Sequence, residues 1–391
     1  MKDSPLLAKD RVQELFSEKY GHTPSVTARS PGRVNLIGEH TDYNEGFVLP
    51  IAVPFDTAIA ASPELSSIIR VISEGFGEAV FDLNEDPSSL PLWARYVHGM
   101  GTYLKHAGQP IKGWTGYISS DIPIGANLSS SAALEIAAGM IFCTVNNIEA
   151  DMQQLAYAGQ FVENTILGLP SGIMDQMACA FAEHDNALLI DCKDLTMSQV
   201  KLPESAAIVV MDTGTRRELV DSEFANRRQT CETIARALEV PSLRYATHSG
   251  LTQLDASHAP KLKRVRHVIN ENMRTRKAVE AIKNQNLTEL GELMTESHQS
   301  LQNDYEVSSP ALDEIVHTAL TSQHCLGARM TGGGFAGCAI ALVKGDKIDQ
   351  FCTEILQNYQ PPTSQPAESP TRVFPVRASA GASLINNYRL S

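Results

Sequence analysis

Four short segments of the 391-residue chain hold most of the side chains able to do chemistry. The first runs from Pro31 to Asn44 and carries Arg33, Glu39, His40 and Asp42 beside glycine and asparagine. Carboxylates accept hydrogen bonds from sugar hydroxyls, and a guanidinium is a rigid fork of donors. These groups fit convergence on a polyhydroxylated ligand, and they equally fit a polar loop with local ion pairs. His40-Thr41-Asp42 is a weak metal-ligand pattern, since no cysteine or second histidine stands nearby.

The second segment, Asp121 to Glu135, is a loop of small residues that opens into a helix. Free backbone N–H groups and the helix dipole there make an anion site, to which Ser129, Ser130 and Ser131 add hydroxyls. The structural alternative is a helix capped by Ser129, although Ala132 leaves no capping box. The segment lacks the Gly-Lys-Ser/Thr of a Walker loop. In the third segment, Met330 to Cys338, glycines permit close backbone approach to a ligand. Gly332 to Gly337 also matches the dinucleotide pattern, but a strand-like run, Cys338–Val343, follows it instead of a helix. A nicotinamide-dependent dehydrogenase is rejected on that ground, and a hairpin turn is the plain alternative. The fourth segment, Ser171 to Met177, places Asp175 in a helix's first turn, where a dipole-compensating role is sufficient explanation.

The elements that must position these segments follow from the apolar pattern. Leu6, Leu7, Val12, Leu15 and Phe16 predict a first helix, and short apolar runs from Val26 to Leu83 predict strands and hairpins. Helices are expected at Trp93–Lys105, through Glu135–Thr144, and at Asp151–Ile166 and Ile173–Ala182, with strands at Gly113–Ser119 and Ala187–Cys192. The second half predicts strands at Ala207–Asp212, Gly327–Met330 and Cys338–Val343, with a last strand at Arg372–Arg377 closing the chain. Its helices are expected at Ser222–Leu238, Lys263–Ile282, Leu287–Leu301 and Pro310–Leu320. Without strict βαβ alternation the fold class is α+β, with mixed sheets and helices in two domains. The boundary is placed near Lys201–Ser205, giving domains 1–203 and 204–391.

Composition narrows the function classes. A net charge of -13 argues against nonspecific nucleic-acid binding, so a nucleotide site needs local donors or a metal ion. The basic stretch Lys261–Lys277 is accordingly read as a solvated helix face. Seven scattered cysteines, never paired as C-x-x-C, read as free thiols without a zinc site. Residues 1–5 lack an apolar signal region, and the run Ile136–Val145 is too short to span a bilayer. A cytoplasmic protein is expected, a monomer or weak oligomer, with no nucleic acid or membrane as partner.

In this order, the segments closely resemble galactokinases of the GHMP kinase superfamily. The resemblance runs over nearly the whole chain. Its most specific part is Gly32-Arg33-Val34-Asn35-Leu36-Ile37-Gly38-Glu39-His40-Thr41-Asp42-Tyr43. Ala187–Cys192, Glu296-Ser297-His298 and Tyr305-Glu306-Val307-Ser308 add to it.

The resemblance implies ATP-dependent phosphorylation of galactose at its C1 hydroxyl, with Mg²⁺, in a cleft between the two domains. It makes Asp175 and Arg33 the catalytic pair. A neighbouring arginine lowers a carboxylate's pKa, so Asp175 is expected to be ionised, weakly basic and a late proton acceptor. Glu39, His40, Asp42 and the Gly172 backbone are implied to hold the sugar. Gly125, Asn127, Ser129, Ser130 and Ser131 are implied to cradle phosphates, Ser131 and Glu163 to hold Mg²⁺, and Trp93 and Tyr96 to lie near adenine. The chain departs from the family pattern at Phe224, where a sugar-touching tyrosine is common. It also departs at Ser171 for cysteine, and at Asn127 and Ala336 for glycine. Phe224 keeps open a related sugar such as N-acetylgalactosamine or arabinose. A silent galactose sensor is the remaining alternative, disfavoured by the presence of Ser131, Ala132 and Asp175.

Overall fold

A computed structural model gives the architecture of residues 7–216, 220–252, 254 and 261–385. Residues 1–6, including Leu6, and the side chain of Ser222 lie outside the described residues. The chain opens with α1 (Ala8–Tyr20), β1 (Val26–Asn35), β2 (Phe47–Val48), β3 (Pro50–Pro63), β4 (Ile68–Ser73) and β5 (Gly77–Asp82). Next come α2 (Leu92–His106), β6 (Trp114–Ser120), α3 (Ser130–Val145), α4 (Met152–Phe161), α5 (Met174–Phe181), β7 (Asn186–Asp191) and β8 (Thr196–Lys201). The second half runs β9 (Ala206–Asp212), α6 (Val220–Ala237), α7 (His248–Leu251), α8 (Leu262–Lys283), α9 (Leu287–Ser300) and α10 (Pro310–Thr321). It ends with β10 (Cys325–Met330), β11 (Cys338–Lys344), α11 (Ile348–Asn358), β12 (Arg372–Val376) and β13 (Ser383–Ile385).

The fold is α+β. The first sheet has the order β13-β1-β3-β6-β4-β5 and is mixed, because β4 and β6 run parallel. The second, β10-β11-β9-β12, is antiparallel, and β2-β7-β8 form a small third sheet. Helix α3 is buried from Ala132 to Cys143 and packs between the first sheet and α2, α4 and α5. That position explains its continuous apolar run. Ala8, Val12 and Phe16 recur every four residues and pack on Ala58 and Ala60 of β3.

Three features differ from the sequence expectation. Strand β12 is not the last: β13 follows it and returns to the first sheet, pairing Thr27 with Ile385. β12 itself lies at a sheet edge, which tolerates Pro375. Helix α4 stops at Phe161, and residues Val162–Ile166 form a π turn; a second π turn, Leu301–Tyr305, follows α9. Such wide turns recur at functional sites, and these two carry Glu163 and Tyr305. β8 and α11 had no expected element. β8 is mostly exposed and carries little apolar signal, whereas α11 has the helical spacing Ile348, Phe351, Cys352, Ile355 and Leu356, a pattern the sequence expectation passed over. Residue 203 lies between β8 and β9, where the chain changes sheet. One core nevertheless runs through both halves, joining Ile51 and Val53 of β3 to Ile208 and Val210 of β9.

Candidate active site

An open cavity of about 950 Å³ is lined by Arg33, Glu39, His40, Asp42, Ser131, Glu163, Gly172, Asp175 and Phe224. Residues more than a hundred positions apart in sequence are thereby brought together, from β1 and its following loop, from α3, α5 and α6, and from a π turn. Tyr96 and the glycine-rich loop at Gly332 and Gly333 also line it.

At the cavity floor Arg33 and Asp175 form a fork. Arg33 Nε donates to Asp175 Oδ1 at 2.8 Å and Nη2 to Oδ2 at 2.7 Å. Nη1 donates to the Asn127 carbonyl at 2.8 Å. Arg33 follows a register irregularity in β1 that re-aims the strand. Burial opposes its charge, but Asp175 and Glu39 outweigh that and raise its pKa. Asp175 keeps 30% of its side chain exposed, so the pair remains open to a ligand.

Ser129 does not cap α3. It sits at φ 61° without a side-chain cap bond, and its hydroxyl donates to Asp175 Oδ2 at 2.5 Å. Asn127 adopts φ 57°, a region asparagine tolerates, and its amide donates to the Ala336 carbonyl at 3.1 Å. The loop before α3 is thus tied to the glycine-rich loop of the second sheet. Gly332, at φ 81° and close to Asn127 and Arg33, is one place where glycine is required.

Glu39 is buried under several donors. Gly332 N–H reaches its Oε1 at 2.8 Å, the Thr331 hydroxyl at 3.2 Å and Arg329 Nη1 at 3.3 Å. Asn35 Nδ2 reaches Oε2 at 3.0 Å. His40 Nδ1 meets the Tyr43 hydroxyl at 2.7 Å, which meets the Tyr305 hydroxyl at 2.7 Å. The Tyr305 hydroxyl in turn meets Cys231 Sγ at 3.1 Å. His40 Nε2 faces the Gly333 carbonyl at 3.2 Å. A carbonyl only accepts, so Nε2 carries the proton and Nδ1 accepts from Tyr43. Burial, helped by the charge on His267, lowers the His40 pKa to about 3 and keeps the ring neutral.

Asp42 accepts from the Tyr43 N–H at 2.9 Å and the Met174 N–H at 3.4 Å. Burial, then the Asp175 charge, raises its pKa to about 6. Its carboxylate fills the space that a side chain at Gly172 would need. Phe224 packs 5.3 Å from both the His40 and Tyr43 rings and gives the cavity an apolar wall.

Glu163 accepts from Ser131 Oγ at 3.0 Å, from the Ser171 hydroxyl and from Gln176 Nε2 at 3.2 Å. Burial raises its pKa. Ser131 and Glu163 offer adjacent oxygen donors beside Asp175. That fits Mg²⁺, which takes one or two protein oxygens and completes its shell with phosphate and water.

Other expected residues stand outside the cavity lining: Trp93, Gly125, Asn127, Ser129 and Ser130. Trp93 packs half-buried on the first core, and its indole N–H has no partner among the described residues. Gly125 lies against Arg216, which forks to Asp212 at 2.9 and 3.0 Å. Arg216, Tyr305, Arg329, Thr331 and Asn35 were not foreseen individually. Arg329 and Thr331 meet Glu39 from some 290 residues away, and Tyr305 meets Tyr43 from 262, whereas Arg216 and Asn35 bond Asp212 and Glu39 only four residues away. The basic stretch is partly internal: Lys263 and Arg264 pair with Glu306, and Arg274 with Glu271. All seven cysteines are free thiols, and no helix among the described residues is long and apolar enough to cross a membrane.

Comparison with known proteins places this geometry. The galactokinase galactose-binding signature matches residues 14–63, the GHMP kinase N-terminal domain 95–183 and the GHMP kinase C-terminal domain 278–360. A galactokinase of Roseiflexus sp. is 40% identical over 383 residues, covering 96% of this chain and 97% of that protein. A galactokinase of Chloroflexus aurantiacus is 41% identical, covering 94% and 95%. Lactococcus lactis galactokinase, solved in complex with galactose, superposes with a TM-score of 0.89 at 36% identity, covering 95% and 98%. Methanococcus jannaschii mevalonate kinase shares the fold alone, at 20% identity and a TM-score of 0.63 over 90% and 98%. With such identity along almost its entire length, this chain belongs to the galactokinase family of the GHMP kinases.

Proposed function

We propose that the chain transfers the γ-phosphoryl group of ATP to the C1 hydroxyl of galactose, giving galactose 1-phosphate and ADP. The Arg33–Asp175 fork carries the reading, because it joins the sugar-signature strand to α5 and is bonded on both sides to the loop before α3, through the Asn127 carbonyl and the Ser129 hydroxyl. Asp175 orients the hydroxyl and accepts its proton late, as a loose phosphoryl-transfer transition state allows. Arg33 draws the pair together and faces the charge that develops on the transferred group. Glu39, His40, Asp42 and the Gly172 backbone hold the sugar, with Phe224 as its apolar wall. Backbone amides of Gly125 to Ser131 and the α3 N-terminus receive the phosphates. Ser131 and Glu163 would hold Mg²⁺, which neutralises phosphate oxygens when bound.

The division at residues 203/204 belongs to the same reading, since it falls where the chain changes sheet. So does a cytoplasmic monomer or weak oligomer with two small-molecule ligands; its free thiols support a reducing compartment. The apolar wall at Phe224 also favours testing N-acetylgalactosamine and arabinose. An ADP-release assay across hexoses and pentoses decides. Galactose is expected to turn over fastest. Turnover of another sugar with none of galactose would overturn the reading, and no turnover at all would favour a sensor.

A further inference from the structure

The loop at residues 167–173 closes one side of the cavity. It comes from the first half of the chain, between the Val162–Ile166 π turn and α5, yet an arginine of the second half holds it. Arg228 Nη1 donates to the Pro170 carbonyl at 3.0 Å, the Ser171 carbonyl at 3.1 Å and Asn164 Oδ1 at 2.9 Å. Asn164 Nδ2 reaches the same Ser171 carbonyl at 3.1 Å. Arg228 Nε is anchored on Glu232 at 3.1 Å, one turn further along α6.

The loop so held has two duties at the cavity. Ser171 donates to Glu163, and Gly172 lies under the Asp42 carboxylate. Phe224 precedes Arg228 by four residues on α6, so one helix face presents both a wall of the cavity and the group that holds the opposite loop. A planar guanidinium suits the task, because its rigid fork reaches Glu232 and the convergent loop acceptors together. An ammonium lacks that fork.

We propose that Arg228 is a positioning residue: a clasp by which α6 holds residues 169–172 in the shape the sugar pocket needs, so that sugar affinity depends on this contact between the halves. This rests on the cavity being the galactose site. Arg228 touches neither reacting group, and it acts through the loop backbone.

The test uses the full chain and Arg228→Ala. Ligand-free, the variant should exchange the amide hydrogens of residues 167–173 faster than the parent. In steady state the KM for galactose should rise about ten-fold, with kcat and the KM for ATP within about two-fold. Millimolar guanidinium should restore the KM, since 29% of the Arg228 side chain is exposed and the vacated site is reachable. Glu232→Gln should behave as the parent. If Arg228→Ala does not fold, Arg228→Lys keeps the charge, loses the fork and carries the exchange and KM comparisons, the rescue arm belonging to Arg228→Ala alone. Unchanged exchange, an unchanged galactose KM or absence of rescue would each overturn the clasp. A parent enzyme that turns over no galactose would instead sink the proposed function, and the exchange measurement would still decide the clasp.

Discussion

Ser129 donates its hydroxyl hydrogen to the same Asp175 oxygen that Arg33 Nη2 reaches, at 2.5 and 2.7 Å. The carboxylate is therefore held on both oxygens before any ligand arrives. A carboxylate so engaged is fixed in direction and suits an orienting role. We predict that Asp175→Ala abolishes turnover while ATP still binds, and that Ser129→Ala lowers kcat about ten-fold by loosening the carboxylate. Steady-state kinetics with an independent nucleotide-binding titration checks both. A normal kcat in Asp175→Ala would remove Asp175 from the mechanism.

The acid limb of the pH profile should belong to Asp42 rather than His40. The raised pKa of Asp42, about 6, puts its protonation inside the working range, whereas His40, lowered to about 3, stays neutral there. kcat/KM for galactose should fall as pH drops through about 6, because a protonated Asp42 loses acceptor capacity. Asp42→Asn should remove the limb along with most of the sugar affinity. If that variant keeps the limb, another group is responsible.

The same shift has a consequence for stability. Asp42 binds its proton more tightly folded than unfolded, so its contribution favours the folded state at low pH. That contribution is lost as pH rises through the folded value of about 6. Asp42→Asn is therefore expected to melt at a higher temperature than the parent at pH 8, while the two converge near pH 4. Asp42 is only half-buried, and solvent screening keeps the gain to about 1 kcal/mol. Thermal melts at the two pH values check the sign, and a lower melting temperature at pH 8 would contradict it.

Tyr43→Phe should raise the KM for galactose about ten-fold, with a smaller change in kcat. Without the Tyr43 hydroxyl, Nδ1 of His40 loses its donor, and the Gly333 carbonyl alone is left to hold the proton on Nε2. Tyr305→Phe should be milder, because Tyr43 keeps its bond to His40. Nitrogen-15 NMR of the His40 ring reads the tautomer directly. An unaltered spectrum in Tyr43→Phe would show that the relay does not set it.

Phe224→Tyr adds a hydroxyl to the apolar wall beside His40 and Tyr43. A lower KM for galactose, by about two- to ten-fold, is expected if the sugar lies against this wall. A sugar panel run on both proteins checks it, and an unchanged or raised KM would separate Phe224 from sugar contact.

Legibility in the sequence followed locality. Arg33, Glu39, His40 and Asp42 stood out because they fall within ten residues beside glycines. α3 was readable from its unbroken apolar run. Asp175 alone looked like a helix-dipole residue, and only its companion segments raised it further. Ser129 reads as a phosphate-loop hydroxyl with a cap as the alternative, and neither reading reveals its bond to Asp175, 46 residues away. Arg329 and Thr331 are buried against Glu39 some 290 residues distant, and no local pattern encodes such a contact. β13 is three residues long and exists through its pairing with β1. The π turns were invisible because the apolar period of a helix barely changes across one wide turn.

Those two turns make the site sensitive to arithmetic. A π turn holds one residue more than the α-helix it interrupts, so removing any residue from 162–166 would let the helix close normally. The residues left in the turn would re-space around the axis by up to about 100°, while the chain beyond keeps its direction. Glu163 and Asn164, inside the turn, would leave their places with every side chain chemically intact. The same holds for 301–305 and Tyr305. At both places the site is specified by a count of residues as well as by their kinds, and a one-residue deletion there is a heavier blow than most substitutions.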